Sequence, residues 1–133
     1  MAGYSGTPLV KKLGLKDGMA VHFAGAPAGY DRTLGKLPDV TQSKMLKGPL
    51  DFVQFFTTSK RMLETKCPAL VRALAPAGML WVSWPKKAAK METDLTEDVI
   101  RGVGLANGVV DVKVCAVDDT WSGLKFVRRL KDR

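Results

Sequence analysis

Residues 75–85 read Ala-Pro-Ala-Gly-Met-Leu-Trp-Val-Ser-Trp-Pro, and this stretch decides the fold. Pro76 and Gly78 are residue types that end a helix and turn the chain. From Met79 to Trp84 the side chains are bulky and nearly all apolar, at odd and even positions alike. A strand with two apolar faces has to be covered on both sides. The stretch therefore predicts a central strand with helices packed above and below it.

The rest of the chain alternates short helical and strand-like segments, which is typical of an α/β domain. Residues 40–46 mix polar and apolar side chains, which favours an edge strand. The last two strands, joined by a turn at residues 118–120, form an antiparallel hairpin. Expected strands cover residues 19–24, 40–46, 50–57, 79–84, 109–117 and 122–130, and expected helices cover 8–13, 30–34 and 60–74, with a further helix between an Asp94 cap and Asn107.

Within these segments, Thr7 is expected to cap the first helix, and Pro68 to kink or divide the third. His22, the one histidine of the sequence, is interpreted as a packing residue of the first strand. The pattern as a whole predicts an α/β fold in three layers. Its central sheet has about six strands, is mostly parallel and ends in an antiparallel hairpin, and residues 1–133 form one domain.

Length and composition suit a globular domain of this kind. The chain has 133 residues, of which 46% are hydrophobic and 26% charged. It contains no apolar run near the roughly 20 residues that span a bilayer, and it does not start with a basic segment followed by an apolar one. We therefore expect a cytoplasmic protein without membrane contact, in which Cys67 and Cys115 are buried, reduced thiols.

The formal net charge of +8 favours anionic partners such as nucleic acid, phosphorylated small molecules or acidic proteins. The basic residues are spread along the chain, with the densest groups at residues 125–133 and 86–90. A solvated basic surface explains both groups equally well. Nucleic-acid binding, with Trp81, Trp84 and Trp121 as stacking groups, is one hypothesis.

A ligand crevice is expected beyond the carboxyl ends of the first and third strands, at the topological switch point of the sheet. Glycine permits close backbone approach, and a following helix start offers free N–H groups. Three groups would line the crevice: Gly25, Ala26, Pro27, Gly29 and Tyr30 on one wall, Thr57, Thr58 and Ser59 on the other, and Trp84, Lys86 and Lys87 beside them.

A purely structural role for these residues is an open alternative. In that case the glycines form a plain strand-to-helix turn, the tryptophan closes the core and the lysines are solvated. The same holds for Asp118 and Asp119. Adjacent acids in a hairpin turn are usually turn formers. If they and Trp121 face Lys86, they would instead frame a site.

Two stretches resemble the class I S-adenosylmethionine (SAM)-dependent methyltransferase fold, which is Rossmann-like. Residues 13–25, Leu-Gly-Leu-Lys-Asp-Gly-Met-Ala-Val-His-Phe-Ala-Gly, look like its entry, and residues 73–83 are similar to the helix, glycine turn and strand of its later half. Relative to that fold the chain lacks one strand–helix unit between residues 35 and 50. Gly25 and Gly29 match its glycine loop loosely, and the acid that holds the cofactor's ribose after the second strand has no match at Leu46-Lys47-Gly48.

Nearly the whole chain also resembles an uncharacterised small bacterial family, a domain of unknown function. The shared segments are residues 3–9, 82–87, 93–99 and 111–125. That resemblance implies no activity. The leading hypothesis is therefore a non-catalytic module on a degenerate methyltransferase-like fold, which binds a small anionic or nucleotide-like ligand or a protein partner. A SAM-dependent methyltransferase, with SAM as cofactor, and a nucleic-acid-binding protein are the alternatives.

Overall fold

A six-stranded mixed sheet forms the middle layer of the structure, a computed structural model that describes residues 7–133. The first part of the 3–9 motif thus lies outside the described residues. The strands are β1 (Ala20–Ala24), β2 (Thr41–Gln42), β3 (Leu50–Phe56), β4 (Leu74–Pro85), β5 (Val109–Ala116) and β6 (Trp121–Arg128). The helices are α1 (Leu9–Leu13), α2 (Tyr30–Leu34), α3 (Lys60–Arg72) and α4 (Glu97–Ala106), with short 3₁₀ helices at Lys87–Ala89 and Leu130–Asp132.

The strand order β2-β1-β3-β4-β6-β5 confirms the predicted sheet. Strands β2, β1, β3 and β4 run parallel to one another. Strand β6 pairs antiparallel with both β4 and β5, so the C-terminal hairpin extends the sheet in the opposite sense. The carboxyl ends of β1, β3 and β4 therefore meet at one edge, where the sequence places its candidate site.

Strand β4 is central and covered on both faces, as its apolar sequence predicts. Leu80, Val82 and Trp84 join the hydrophobic cluster that also contains buried residues of α3 and α4. Met79 and Trp81 join the opposite cluster, with residues of α1 and α2. Trp81 has no exposed surface, and the predicted three-layer arrangement is confirmed.

The predicted turn at Pro76 and Gly78 is wrong. Helix α3 already ends at Arg72, and β4 begins at Leu74. The register with β3 shifts between the pairs Leu50↔Leu74 and Phe52↔Met79, which marks an irregularity inside the strand. A Cβ atom on Gly78 would lie 2.6 Å from the Leu50 carbonyl oxygen. Gly78 is therefore required by close strand approach at the irregularity rather than by a helix stop.

Helix α3 is a single helix although Pro68 lies inside it, so it is not divided into two. Ser59 caps its start by accepting the Met62 N–H, and Leu63, Cys67 and Leu70 bury one face. Pro68 itself is exposed. Packing of the opposite face and the N-cap outweigh the missing hydrogen bond.

Three further local predictions are corrected. Pro8, not Thr7, is the N-cap of α1, with no side-chain hydrogen bond. Thr96, not Asp94, caps α4, and Asp94 instead accepts the Lys60 N–H at the start of α3. The expected edge strand 40–46 shrinks to two residues, Thr41 and Gln42. Its polar sequence gives it no face to bury, although its position at the edge is confirmed.

Among residues 7–133, no helix combines the length and the apolar character that crossing a bilayer requires. The two cysteines are unbonded thiols, with Cys67 buried and Cys115 partly buried. His22 is buried, and its Nδ1 donates to the Ser43 carbonyl oxygen over 2.8 Å. These three residues take packing positions inside the sheet and α3.

Candidate functional site

The turn between β1 and α2 begins at Gly25, which has a positive φ of 70°. A Cβ atom there would lie only 2.6 Å from the Phe56 carbonyl oxygen at the end of β3. Glycine is thus needed both for the left-handed backbone and for contact between the ends of two parallel strands. The close neighbour of Gly25 is the chain itself, which explains this glycine without a ligand.

The next residues of the turn line a cleft of about 250 Å³, here called the Tyr30 cleft. It lies between the end of β1, helix α2 and the edge strand β2. Four residues expected at the site line it: Ala26, Pro27, Gly29 and Tyr30. Its other lining residues were not predicted from the sequence: Phe23, Asp31, Leu34, Gly35, Leu37 and Gln42. They lie near the end of β1, in α2, directly after α2 or at the end of β2.

Tyr30 is anchored beneath the turn by a buried polar chain. Its hydroxyl donates to Gln54 Oε1 over 2.6 Å, and Gln54 Nε2 donates to Ser83 Oγ over 3.0 Å. The three residues connect α2 to β3 and β4, and the ring of Phe56 packs against that of Tyr30. Burial raises the pKa of Tyr30 far above its ordinary value, because a phenolate here would lose its hydration. Tyr30 is therefore a fixed neutral wall of the cleft rather than a base.

The three residues predicted to form the opposite wall, Thr57, Thr58 and Ser59, make hydrogen bonds within the protein instead. Thr57 Oγ1 accepts the Ser59 N–H, and Ser59 Oγ accepts the Met62 N–H as the cap of α3. Thr58 offers its carbonyl oxygen to the hydroxyl of Thr93 over 2.7 Å. Thr58 and Ser59 line an open depression with residues 92–94. None of the three lines the Tyr30 cleft.

A third cleft, here called the Trp84 cleft, contains the remaining predicted residues. It has a volume of about 370 Å³ and lies where β4 leaves the sheet. Its lining includes Trp84, Pro85, Lys86, Lys87, Met91 and Glu97. The single crevice expected from the sequence is thus distributed over separate openings, because the loop after β4 folds back over the ends of β3 and β4.

Asp118 stabilises the β5–β6 turn through its own side chain. Asp118 Oδ1 accepts the N–H groups of Thr120 and Trp121, each over 2.8 Å. The ring of Trp121 packs edge-on against Phe56, so this tryptophan belongs to the core. Lys86 meets the turn through its backbone, with its N–H donating to the Thr120 carbonyl oxygen.

The charges of the Tyr30 cleft are few. Asp31 is its one lining carboxylate, and neither lysine nor arginine is among its lining residues. Strand β2 ends at Gln42 rather than at the expected residue 46, so the side chain at the observed strand end is an amide and not a carboxylate. Within residues 7–133 no three side chains of histidine, cysteine, aspartate or glutamate are placed to hold a metal ion.

Comparison with known proteins assigns the fold. No family model and no curated protein matches the sequence. Among solved structures, a putative methyltransferase from Thermoplasma acidophilum has a TM-score of 0.59 at 11% identity, covering 88% of this chain and 71% of its own. Magnesium protoporphyrin IX methyltransferase from Synechocystis PCC 6803, with bound SAM, has a TM-score of 0.61 at 16% identity, with coverages of 91% and 74%.

A SAM-dependent methyltransferase from Aquifex aeolicus is similar over more of its length. Its TM-score is 0.59 at 17% identity, covering 89% of this chain and 86% of that one. Structural similarity at sequence identities this low establishes the fold alone. The chain therefore has a class I SAM-methyltransferase-like Rossmann fold.

Proposed function

We propose that the chain binds a SAM-type nucleoside ligand in the Tyr30 cleft. The observation that supports this most strongly is the position of the cleft, at the carboxyl end of β1 where the chain turns into α2. In open α/β sheets this edge is the usual ligand-binding edge. One similar structure, the Synechocystis enzyme, is described with bound SAM.

The lining of the cleft suits a nucleoside. Phe23, Leu34 and Leu37 offer apolar surface to a flat base. The amide of Gln42 can both donate and accept, and the carboxylate of Asp31 can accept from ribose hydroxyls or an ammonium group. With about 250 Å³, the cleft lies just below the roughly 300 to 1,000 Å³ of most small-molecule sites. It therefore accommodates the nucleoside half, and the remainder extends past Ala26 and Gly29.

Charge decides between ligand classes. SAM carries a sulfonium and an ammonium against one carboxylate, so it is a net cation. Asp31 is the one charged residue in the lining, and its carboxylate can pair with the positive groups of such a ligand. The guanidinium of Arg32 lies beside Gly29, 3.1 Å from where a Cβ atom would be, and is the nearby positive charge. The anionic ligand that the overall charge of +8 suggested is therefore not the ligand proposed for this cleft.

Methyl transfer is the second candidate function, favoured by the methyltransferase descriptions of the similar structures. In such a step, a lone pair of the acceptor attacks the methyl carbon while the carbon–sulfur bond breaks, and SAM leaves as a neutral thioether. The hydroxyls of Thr57 and Ser59 are already engaged in local hydrogen bonds. The methyl acceptor would thus need to be a sufficient nucleophile by itself, without activation by the side chains of Thr57 and Ser59.

The remaining hypotheses have weaker support. Trp81, Trp84 and Trp121 are each at most 9% exposed, which removes the stacking argument for nucleic-acid binding. A steep loss of affinity with added salt would be the signature of binding through the basic surface alone. Membership of the small bacterial family, a protein partner and a cytoplasmic location stay proposals that rest on the sequence.

Thermal unfolding with S-adenosylhomocysteine, SAM and adenosine tests the proposal. Ligand at 100 times its dissociation constant stabilises a fold by about 2.7 kcal/mol, which raises the melting temperature measurably. Ala26→Trp fills the exposed mouth of the cleft and should abolish the shift, whereas Lys36→Gln, outside the cleft lining, should preserve it. No shift at millimolar ligand, or an equal shift in Ala26→Trp, would contradict the proposal.

A further inference from the structure

We propose that the Trp84 cleft is a second binding site, which takes a small ligand that joins a carboxylate or phosphate to a flat apolar body. The cleft has a volume of about 370 Å³ and shares no lining residue with the Tyr30 cleft. Its chemistry also differs, since lysine side chains line it. Its occupant is therefore a different molecule, and the proposal does not depend on SAM binding.

The indole N–H of Trp84 is the first argument. Trp84 is only 7% exposed, and its side chain has no hydrogen-bond partner within residues 7–133. Yet no side-chain nitrogen or oxygen in that part of the chain is both buried and without a partner. The indole nitrogen therefore keeps some contact with solvent, and Trp84 lines this cleft. A donor held rigidly in the core thus faces a space that a ligand acceptor could enter.

Uncompensated positive charge is the second argument. Lys86 and Lys87 line the cleft, and in the described part of the chain neither forms an ion pair. Glu97, the carboxylate in the lining, is bound by the guanidinium of Arg101. Lys86 is half-buried, so its charge is less screened than that of a fully exposed lysine. The cleft therefore has an excess of donors and positive charge, which an anion would balance.

The start of α4 adds donors at the same place. Thr96, the N-cap of this ten-residue helix, lines the cleft, and its side chain accepts the Val99 N–H. The preceding N–H groups of the first turn have no partner within the helix. They support an anion here only because Trp84 and the two lysines independently line the same cleft.

The walls are held in place without a ligand. Thr93 Oγ1 donates to the Thr58 carbonyl oxygen and accepts the Leu95 N–H. At the opposite end, the Lys86 N–H donates to the Thr120 carbonyl oxygen over 2.8 Å. The loop is thus tied to two neighbouring segments, and little ordering would be needed on binding.

The apolar part of the lining defines the rest of the ligand. Trp84, Pro85 and Leu95 are buried, and Met91, which lines the same cleft, is exposed. These surfaces suit an aromatic ring, which methionine and tryptophan contact favourably. An aromatic carboxylate or aryl phosphate has both the required parts.

Titration of ¹⁵N-labelled protein with benzoate and phenyl phosphate tests the site, with neutral benzyl alcohol as the matched probe. The indole N–H signal of Trp84, assigned by its loss in Trp84→Phe, should move with either anion and at least threefold less with benzyl alcohol. The stronger of the two anions identifies the head group. Lys86→Gln combined with Lys87→Gln should weaken the anion response at least tenfold, while Lys36→Gln should leave it unchanged.

Three results would overturn the site. They are no movement of the Trp84 signal at millimolar anion, an equal response to benzyl alcohol, or an undiminished anion response in the double lysine variant. The variants remain informative about folding because the dispersion of the same spectra reports whether each protein is folded.

Discussion

The indole N–H of Trp81 donates a hydrogen bond to the carbonyl oxygen of Leu13 over 2.9 Å, across 68 residues of sequence. Both side chains are fully buried. The bond joins the central strand β4 to the last turn of α1, whose terminal carbonyls lack partners within the helix. One tryptophan therefore fills the core on this face and also satisfies the end of α1.

Replacing Trp81 by phenylalanine should remove that donor and leave the Leu13 carbonyl buried without it. The matched control is Trp121→Phe, because the indole of Trp121 is also buried but has no hydrogen-bond partner within residues 7–133. Both changes remove similar volume. We expect Trp81→Phe to lower the free energy of unfolding by about 1–3 kcal/mol more than Trp121→Phe, measured by urea denaturation. Equal losses would show that the hydrogen bond contributes nothing beyond packing.

Alkaline pH should destabilise the protein through Tyr30. Burial raises its pKa in the folded state, whereas the unfolded tyrosine titrates near pH 10. The stabilising contribution is therefore fully present below about pH 10 and is lost as pH rises toward the folded-state pKa. Above pH 10 the free energy of unfolding should fall by up to about 1.4 kcal/mol per pH unit from this group.

Tyr30→Phe isolates that contribution. Urea denaturation from pH 8 to 11 should show a shallower decline for the variant, while the thiols of Cys67 and Cys115, whose pKa values burial also raises, titrate alike in both proteins. At pH 7 the variant should already be less stable by about 1–3 kcal/mol, because Gln54 Oε1 loses its donor. Identical pH profiles would contradict a buried neutral tyrosine.

Gly25→Ala should be costly for two separable reasons. A left-handed backbone costs a non-glycine residue about 1–2 kcal/mol, and the new Cβ atom would lie 2.6 Å from the Phe56 carbonyl oxygen. Gly18→Ala is the control, since Gly18 also has a positive φ but no atom within 4 Å of the added Cβ. We expect Gly25→Ala to lose about 1–3 kcal/mol more than Gly18→Ala in thermal or urea unfolding. A difference near zero would mean that the ends of β1 and β3 are not in contact.

Pro68→Ala should stabilise the protein. Pro68 is exposed inside α3, where it removes one backbone hydrogen bond. The gain in helix propensity should exceed the stability that is lost because the unfolded alanine variant has more conformational entropy. The free energy of unfolding should therefore rise by about 1–2 kcal/mol. Lys66→Ala, another exposed position of α3, should change stability by less than about 0.5 kcal/mol. Destabilisation by Pro68→Ala would show that the proline has a packing role that its exposure does not suggest.

The layer order could be read from the sequence because burial leaves a strong pattern. The apolar run from Met79 to Trp84 has no polar face, so the central position of β4 follows from hydrophobicity alone. The hairpin of β5 and β6 is similarly marked by alternation and by the Asp118 turn. Such features depend on residues close together in sequence.

The failures lie where long-range contacts outweigh local signals. Gly78 resembles a helix stop, but its function is to let β4 approach the Leu50 carbonyl. Asp94 resembles the cap of α4, but its carboxylate accepts the N–H of Lys60 at the start of α3, more than thirty residues earlier in the sequence. Neither partner can be deduced from neighbouring sequence.

The candidate site shows the same limit. The small residues after β1 were found from their position, and four of them line the Tyr30 cleft. Leu37 and Gln42 were missed, because only the folded chain brings the edge of β2 next to α2. Conversely, Lys86 and Lys87 directly follow β4, as predicted, but they line the Trp84 cleft, which shares no lining residue with the Tyr30 cleft.

The most direct measurement is a chemical-shift map of methyl-labelled protein titrated with S-adenosylhomocysteine. We expect saturable changes at Leu34 and Leu37 in the Tyr30 cleft, with none at Leu130 on the far surface, and loss of the changes in Ala26→Trp. Unmoved signals of Leu34 and Leu37 at saturating millimolar concentrations, or movement confined to residues outside the cleft, would contradict a SAM-type site at the carboxyl end of β1.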